Sequence, residues 1–125
     1  MSIHGRVVLA YSAMRIAYAL GLLGAPGRVT RPWLGEDAAR PAAEVALRGL
    51  GMRDLAVATG ALVATAKGEP ARWWLAACAA GDAADLAATM GTDGEQLPQH
   101  AKPGTLVAAG GFGAAAVALA VLEAR

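Results

Sequence analysis

Arg15, Arg48, Arg53, Asp54, Asp82 and Asp85 lie inside stretches otherwise apolar enough to span a bilayer. Their charges cancel, three positive against three negative. Charge at membrane depth is costly, so such residues face a bundle interior, pair with one another and mark functional sites. Asp82 and Asp85 stand at i, i+3 and share one helix face. Two carboxylates so placed repel unless a cation or a shared proton relieves them. That is the environment in which a carboxyl group is tuned for general acid–base work near neutral pH. Asp82, Asp85 and Asp54 are therefore the candidate catalytic residues. Arg15, Arg48 and Arg53 are candidates for binding substrate, by orienting carboxylates or stabilising developing negative charge.

The neighbours of these residues sharpen the site. Tyr11, Arg15 and Tyr18 follow i, i+4, i+7 spacing along one face of the first apolar segment, and Cys78, Asp82 and Asp85 do so on the third. Tyr11 and Tyr18 can position a ligand by hydrogen bonding. Arg53 and Asp54 are adjacent, so only one of them can aim straight at a helix-bundle centre. Asp82 and Asp85 have no histidine with them inside the spans, which argues against a metal. Gly110, Gly111 and Gly113 are no phosphate loop, because no strand precedes them and no lysine follows, and no cofactor is implied.

Four apolar segments must position these groups: about 6–24, 45–66, 71–90 and 105–123. Each has the length at which a helix covers about 30 Å, the hydrocarbon thickness of a bilayer. None alternates with the two-residue period of a strand. Ala25-Pro26-Gly27, Lys67-Gly68-Glu69-Pro70 and the run from Pro98 to Gly104 separate them. The fold expected is all-α, a four-transmembrane-helix bundle in one domain, 1–125, with a long first loop over about 25–44 and a tight turn between the second and third helices. Depth then places Arg15, Arg53, Asp54 and Asp82 near one level. Arg48, Asp85 and Tyr18 are displaced toward the side of the first and third loops, which are placed to cover the cluster. Arg6, Lys67, Arg72 and Arg125 on the terminal side match Arg28, Arg31, Arg40 and Lys102 on the other, so the positive-inside rule leaves orientation open.

Composition agrees with a membrane location. Hydrophobic residues make up 56% of the 125 residues and charged residues 17%, where a soluble domain carries about 25% charge. The net charge of +1 gives no basic field for nucleic acid. Cys78 is the single cysteine, which rules out an internal disulfide. The first apolar run is long, contains Arg15 and reads as a retained helix rather than a signal peptide. Trp33, Trp73 and Trp74 read as interfacial anchors. Ala56, Gly60 and Ala64, and again Gly110, Ala114 and Ala118, form small-residue stripes that pack the bundle or join copies in a homo-oligomer.

The first helix with its central Arg and Gly-rich end, the Pro-Trp-Leu-Gly loop, Arg-Gly-Leu-Gly-Met-Arg-Asp in the second helix and Gly-Asp-Ala-Ala-Asp in the third resemble a family. They are similar to small bacterial four-helix membrane proteins of unknown function, loosely DoxX-like. The resemblance implies the four-span architecture, with Arg48, Arg53, Asp54, Asp82 and Asp85 as motif residues, and no activity to carry over.

The leading expectation is a multi-pass cell-membrane protein with a midplane Arg/Asp pocket. Its partners are the bilayer and a lipophilic small molecule, and the reactions that suit it are isomerisation, cyclisation or epoxide opening by proton transfer. Two alternatives stand beside it. One is a non-enzymatic transport or accessory subunit whose network is structural or relays protons. The other is a soluble Ala-rich helical bundle.

Overall fold

The computed structural model describes residues 1–125, all of them helix, turn or short connection, with no strand. Helix α1 (Ile3–Gly24) starts on Ser2, whose Oγ accepts from the Gly5 amide at 3.0 Å. That bond satisfies one of the free amides of the first turn. The helix stops because Pro26 disfavours helical geometry at the residue before it, and Ala25 is off-helix at φ −146°. Pro26 then serves as the first residue of α2 (Pro26–Leu34), a position that suits its fixed φ and missing amide. Gly35, at φ 57°, turns the chain into a short 3₁₀ segment, Gly35–Ala39. Pro41 opens α3 (Pro41–Ala66) in the same way as Pro26 opens α2.

The expected first loop over 25–44 is therefore mostly helical, and this corrects the sequence reading. Pro26 and Pro41 act as helix starters, and Pro32 is accommodated inside α2. Thr30 anchors α2, being fully buried and donating to the Pro26 carbonyl at 2.8 Å. The predicted tight turn stands. Gly68 at φ 73° closes α3, with the Glu69 amide reaching the Ala64 carbonyl at 2.8 Å, and α4 (Arg72–Gly91) follows. The last helix, α5 (Ala101–Glu123), begins earlier than expected and contains a π-helical stretch over Leu106–Gly110.

Packing pairs α1 with α3 and α4 with α5. Gly60 lies opposite Trp74 near the turn, and Arg53 lies opposite Asp85 further from it. That order makes α3 and α4 antiparallel neighbours. The bundle has two unlike halves. Around the end that holds the α3–α4 turn, Val8, Tyr11, Ala61, Ala64, Ala71, Leu75, Cys78, Ala116 and Leu119 form a dry cluster. Glu123 ties this end together, its Oε1 accepting from the Ala71 amide at 3.0 Å. Arg15, Arg53, Asp54, Asp82 and Asp85 occupy the other half.

Only 24 of 125 residues are buried, and six of those are polar or charged: Ser12, Arg15, Thr30, Asp54, Asp82 and Thr105. Large apolar side chains face outward instead, among them Leu20, Val63, Val117, Val121 and Leu122. Helices α1 and α5 are each long and apolar enough to cross a membrane. Helices α3 and α4 carry Arg53, Asp54, Asp82 and Asp85, and these charges lower their hydropathy. Of the small-residue stripes, Gly60 receives the Trp74 ring and Ala64 is buried, whereas Ala114 and Ala118 are exposed.

Helices α1 and α3 pack closely at Gly51, where an added Cβ would lie 2.8 Å from Leu22 Cβ and 3.0 Å from the Ala19 carbonyl oxygen. Gly49, two residues earlier, has open space around it. The same substitution should thus have opposite effects. Gly49→Ala should stabilise by up to about 1 kcal/mol through helix propensity, and Gly51→Ala should destabilise by about 1–3 kcal/mol through overpacking. Thermal unfolding of the two variants beside wild type checks this, and equal shifts would rule out close α1–α3 packing at Gly51.

Candidate functional site

Three helices deliver five ionised side chains to one place, and they alternate in sign. Arg15 from α1 is buried at 5% exposure and grips Asp82 of α4 with both terminal nitrogens, Nη1 to Oδ2 at 2.5 Å and Nη2 to Oδ1 at 3.0 Å. This two-pronged geometry is the strongest form of the Arg–carboxylate pair. Arg15 Nη2 also stands 3.5 Å from Asp54 Oδ1 of α3. Arg53, next in sequence to Asp54, donates to the same Oδ1 from Nε at 3.2 Å and Nη2 at 3.0 Å. Arg53 then grips Asp85 of α4, Nη1 to Oδ1 at 3.1 Å and Nη2 to Oδ2 at 2.7 Å. The order across the bundle is Asp82, Arg15, Asp54, Arg53, Asp85.

Tyr11 extends the network into α5. Its hydroxyl accepts from Arg15 Nη1 at 3.1 Å and donates to the Phe112 carbonyl at 3.0 Å. The Arg15 guanidinium also lies 5.8 Å from the Tyr11 ring centre and 5.5 Å from that of Phe112, within reach of cation–π attraction. Arg15 is thus held by groups from all four long helices.

Beside the network lies a cavity of about 270 Å³. Its polar wall is Arg15, Asp54, Asp82 and Asp85; its apolar wall includes Leu50, Ala108, Ala109 and Phe112, with Tyr18 and Trp33 adding aromatic surface. The carboxylates differ in what they leave free. Both oxygens of Asp82 and both of Asp85 are taken by guanidinium groups. Asp54 uses only Oδ1; its Oδ2 accepts no protein hydrogen bond and is not sealed from the cavity.

The sequence-predicted residues divide accordingly. Arg15, Arg53, Asp54, Asp82 and Asp85 meet, with Tyr11 bonded to Arg15 and Tyr18 on the cavity wall. Arg48 does not join them. It is exposed and makes no ion pair, so the cluster holds three carboxylates against two guanidinium groups rather than an even balance. Of the adjacent pair, Asp54 is buried and points inward while Arg53 reaches round from the side at 37% exposure. Trp33, read as an interfacial anchor, instead lines the cavity, its Cβ set against Gly104. Thr105 also lines it and was not anticipated. The Pro103-Gly104 pair at the entry to the π-helical stretch is the sequence feature that could have drawn attention there.

No protein-family model, curated protein or solved structure matches the chain.

Removing one member of a buried pair strands the other. Arg15→Met alone should cost about 3–5 kcal/mol, whereas Arg15→Met combined with Asp82→Leu should recover most of that loss. Denaturant unfolding of the single and double variants measures it. Equal stability of Arg15→Met and wild type would mean that the pair does not hold α1 to α4.

Proposed function

We propose that the chain is a multi-pass membrane protein in which α1, α3, α4 and α5 span the bilayer. Its intramembrane Arg/Asp pocket binds a lipophilic small molecule. The placement of side chains supports the membrane assignment. Arg15, Asp54 and Asp82 lie inside while Leu20, Val63, Val117, Val121 and Leu122 lie outside, the reverse of what water selects and the arrangement that hydrocarbon requires. The likeness of its motifs to small four-span, loosely DoxX-like bacterial proteins supports the same architecture. The short helix α2, with Trp33, covers the pocket on the side of the first connection.

The observation that carries the binding assignment is the unpartnered Oδ2 of Asp54 on the wall of an otherwise largely apolar cavity. Purely structural ion pairs would use their oxygens on each other, as Asp82 and Asp85 do. Asp54 is held from two sides by Arg15 and Arg53 and keeps one oxygen for something else. A fixed carboxylate of this kind accepts a hydrogen bond or a proton from a bound molecule. Arg15 and Arg53 orient it, while Asp82 and Asp85 hold those arginines in turn. Isomerisation, cyclisation or epoxide opening by proton transfer on a lipophilic substrate is the reaction class that suits this arrangement, with Asp54 as the proton-transferring group.

Two measurements test the reading. After alkaline washing the expressed chain should stay with the membrane pellet and leave it only with detergent; release into the aqueous fraction would end the membrane assignment. Protein in lipid nanodiscs should then be assayed by mass spectrometry against lipophilic epoxides, enones and polyenes. Asp54→Asn should lower turnover by about 10²–10⁴-fold while leaving the protein folded. Undiminished turnover in that variant would remove Asp54 from the chemistry.

A further inference from the structure

The charge balance of the site and one unpartnered carboxylate oxygen define its occupant more narrowly. Asp54, Asp82 and Asp85 outnumber Arg15 and Arg53, and Arg48 stands outside the cluster. The surplus is one negative charge. It falls at Asp54, because Asp82 and Asp85 each claim a whole guanidinium face. No other cation lines the cavity. A surplus charge in a poorly solvated site is unfavourable until something positive shares it.

The cavity supplies the independent observation. Its apolar wall of Leu50, Ala108, Ala109 and Phe112 leaves a space of about 270 Å³ beside Asp54, whose Oδ2 accepts no protein hydrogen bond. The Thr105 hydroxyl is unbonded too, but its oxygen is closed off from the cavity and takes no part in binding.

We propose that the pocket takes a lipophilic monocation, a protonated amine on a compact apolar body. The ammonium group lies against Asp54 Oδ2. Trp33, Tyr18 and Phe112 add aromatic surface that favours a cation over a neutral or anionic counterpart. This rests on the binding pocket proposed above and not on the reaction assigned to it.

Matched probes separate the two. Phenylbutylamine, phenylbutanol and phenylbutyrate share a body and differ in head-group charge. Binding to the full chain in nanodiscs, followed by tryptophan fluorescence against empty discs, should rank the amine about tenfold or more above the alcohol, with the acid weakest. Asp54→Asn should bring amine and alcohol together. The wild-type ranking decides the matter even if a variant fails to fold. Equal binding of amine, alcohol and acid would overturn the cationic assignment and leave the pocket standing. Failure of every probe, the alcohol included, would overturn the pocket and this assignment together.

Discussion

The pairing of Arg15 with Asp82 is the constraint from which the arrangement of helices follows. A guanidinium halfway along α1 cannot be left alone in the bundle interior, because the desolvated charge must find partners of opposite sign. Its fork takes both oxygens of Asp82, which fixes the rotation of α4 relative to α1. Its remaining contacts, with Asp54 and the Tyr11 hydroxyl, then set α3 and α5. The backbone makes room for this at two glycines. A Cβ on Gly113 would press to 3.1 Å from Asp82 Cβ, and one on Gly81 would stand 3.2 Å from the Arg53 guanidinium carbon. Helices α4 and α5 can therefore close around the ion pairs without displacing them.

The alternation of charge also explains why the bundle divides into two halves. Apolar side chains seal the half near the α3–α4 turn, where Val8, Leu75 and Leu119 meet and Ala61 and Ala64 allow close approach. In the other half the space is taken by paired guanidinium and carboxylate groups, whose planar geometry leaves a gap beside them. Small residues at 88, 108 and 109 do not fill that gap. The cavity is thus a packing consequence of placing forked, directional partners where close-packed apolar side chains would otherwise interdigitate. Trp33 from α2 and Gly104 at the start of α5 meet over it, so the cover is folded structure and not loop.

The four long helices and the ion-pairing residues were legible in the sequence because both signals are periodic. Arg15 and Tyr11 are one turn apart, as are Cys78 and Asp82, and a helix turns such spacings into faces without help from tertiary contacts. Arg48 escaped the same logic. It lies five residues before Arg53, which on a helix of 3.6 residues per turn puts the two about 140° apart, so one of them had to leave the face that carries the network. Helix α2 was hidden because proline breaks one helix and begins the next with the same residue type. Trp33 and Thr105 reach the cavity through the path of α2 and the π-helical stretch of α5, and neither element announces itself by periodicity.

The unequal roles of the three aspartates follow from their helices. Asp82 and Asp85 share a face of α4 and each meets an arginine from another helix head-on, so neither has an oxygen to spare. Asp54 is next to Arg53 in the chain, and adjacent side chains on a helix diverge by about 100°. Arg53 must therefore curl back to reach it and can address only the nearer oxygen, Oδ1, from Nε and Nη2. Arg15 Nη2 stands 3.5 Å from that same oxygen. Both cations converge on one lone-pair edge, and the other edge is left bare by geometry rather than by lack of partners. Backbone adjacency thus produces a carboxylate that is firmly held yet incompletely satisfied, on the wall of the cavity.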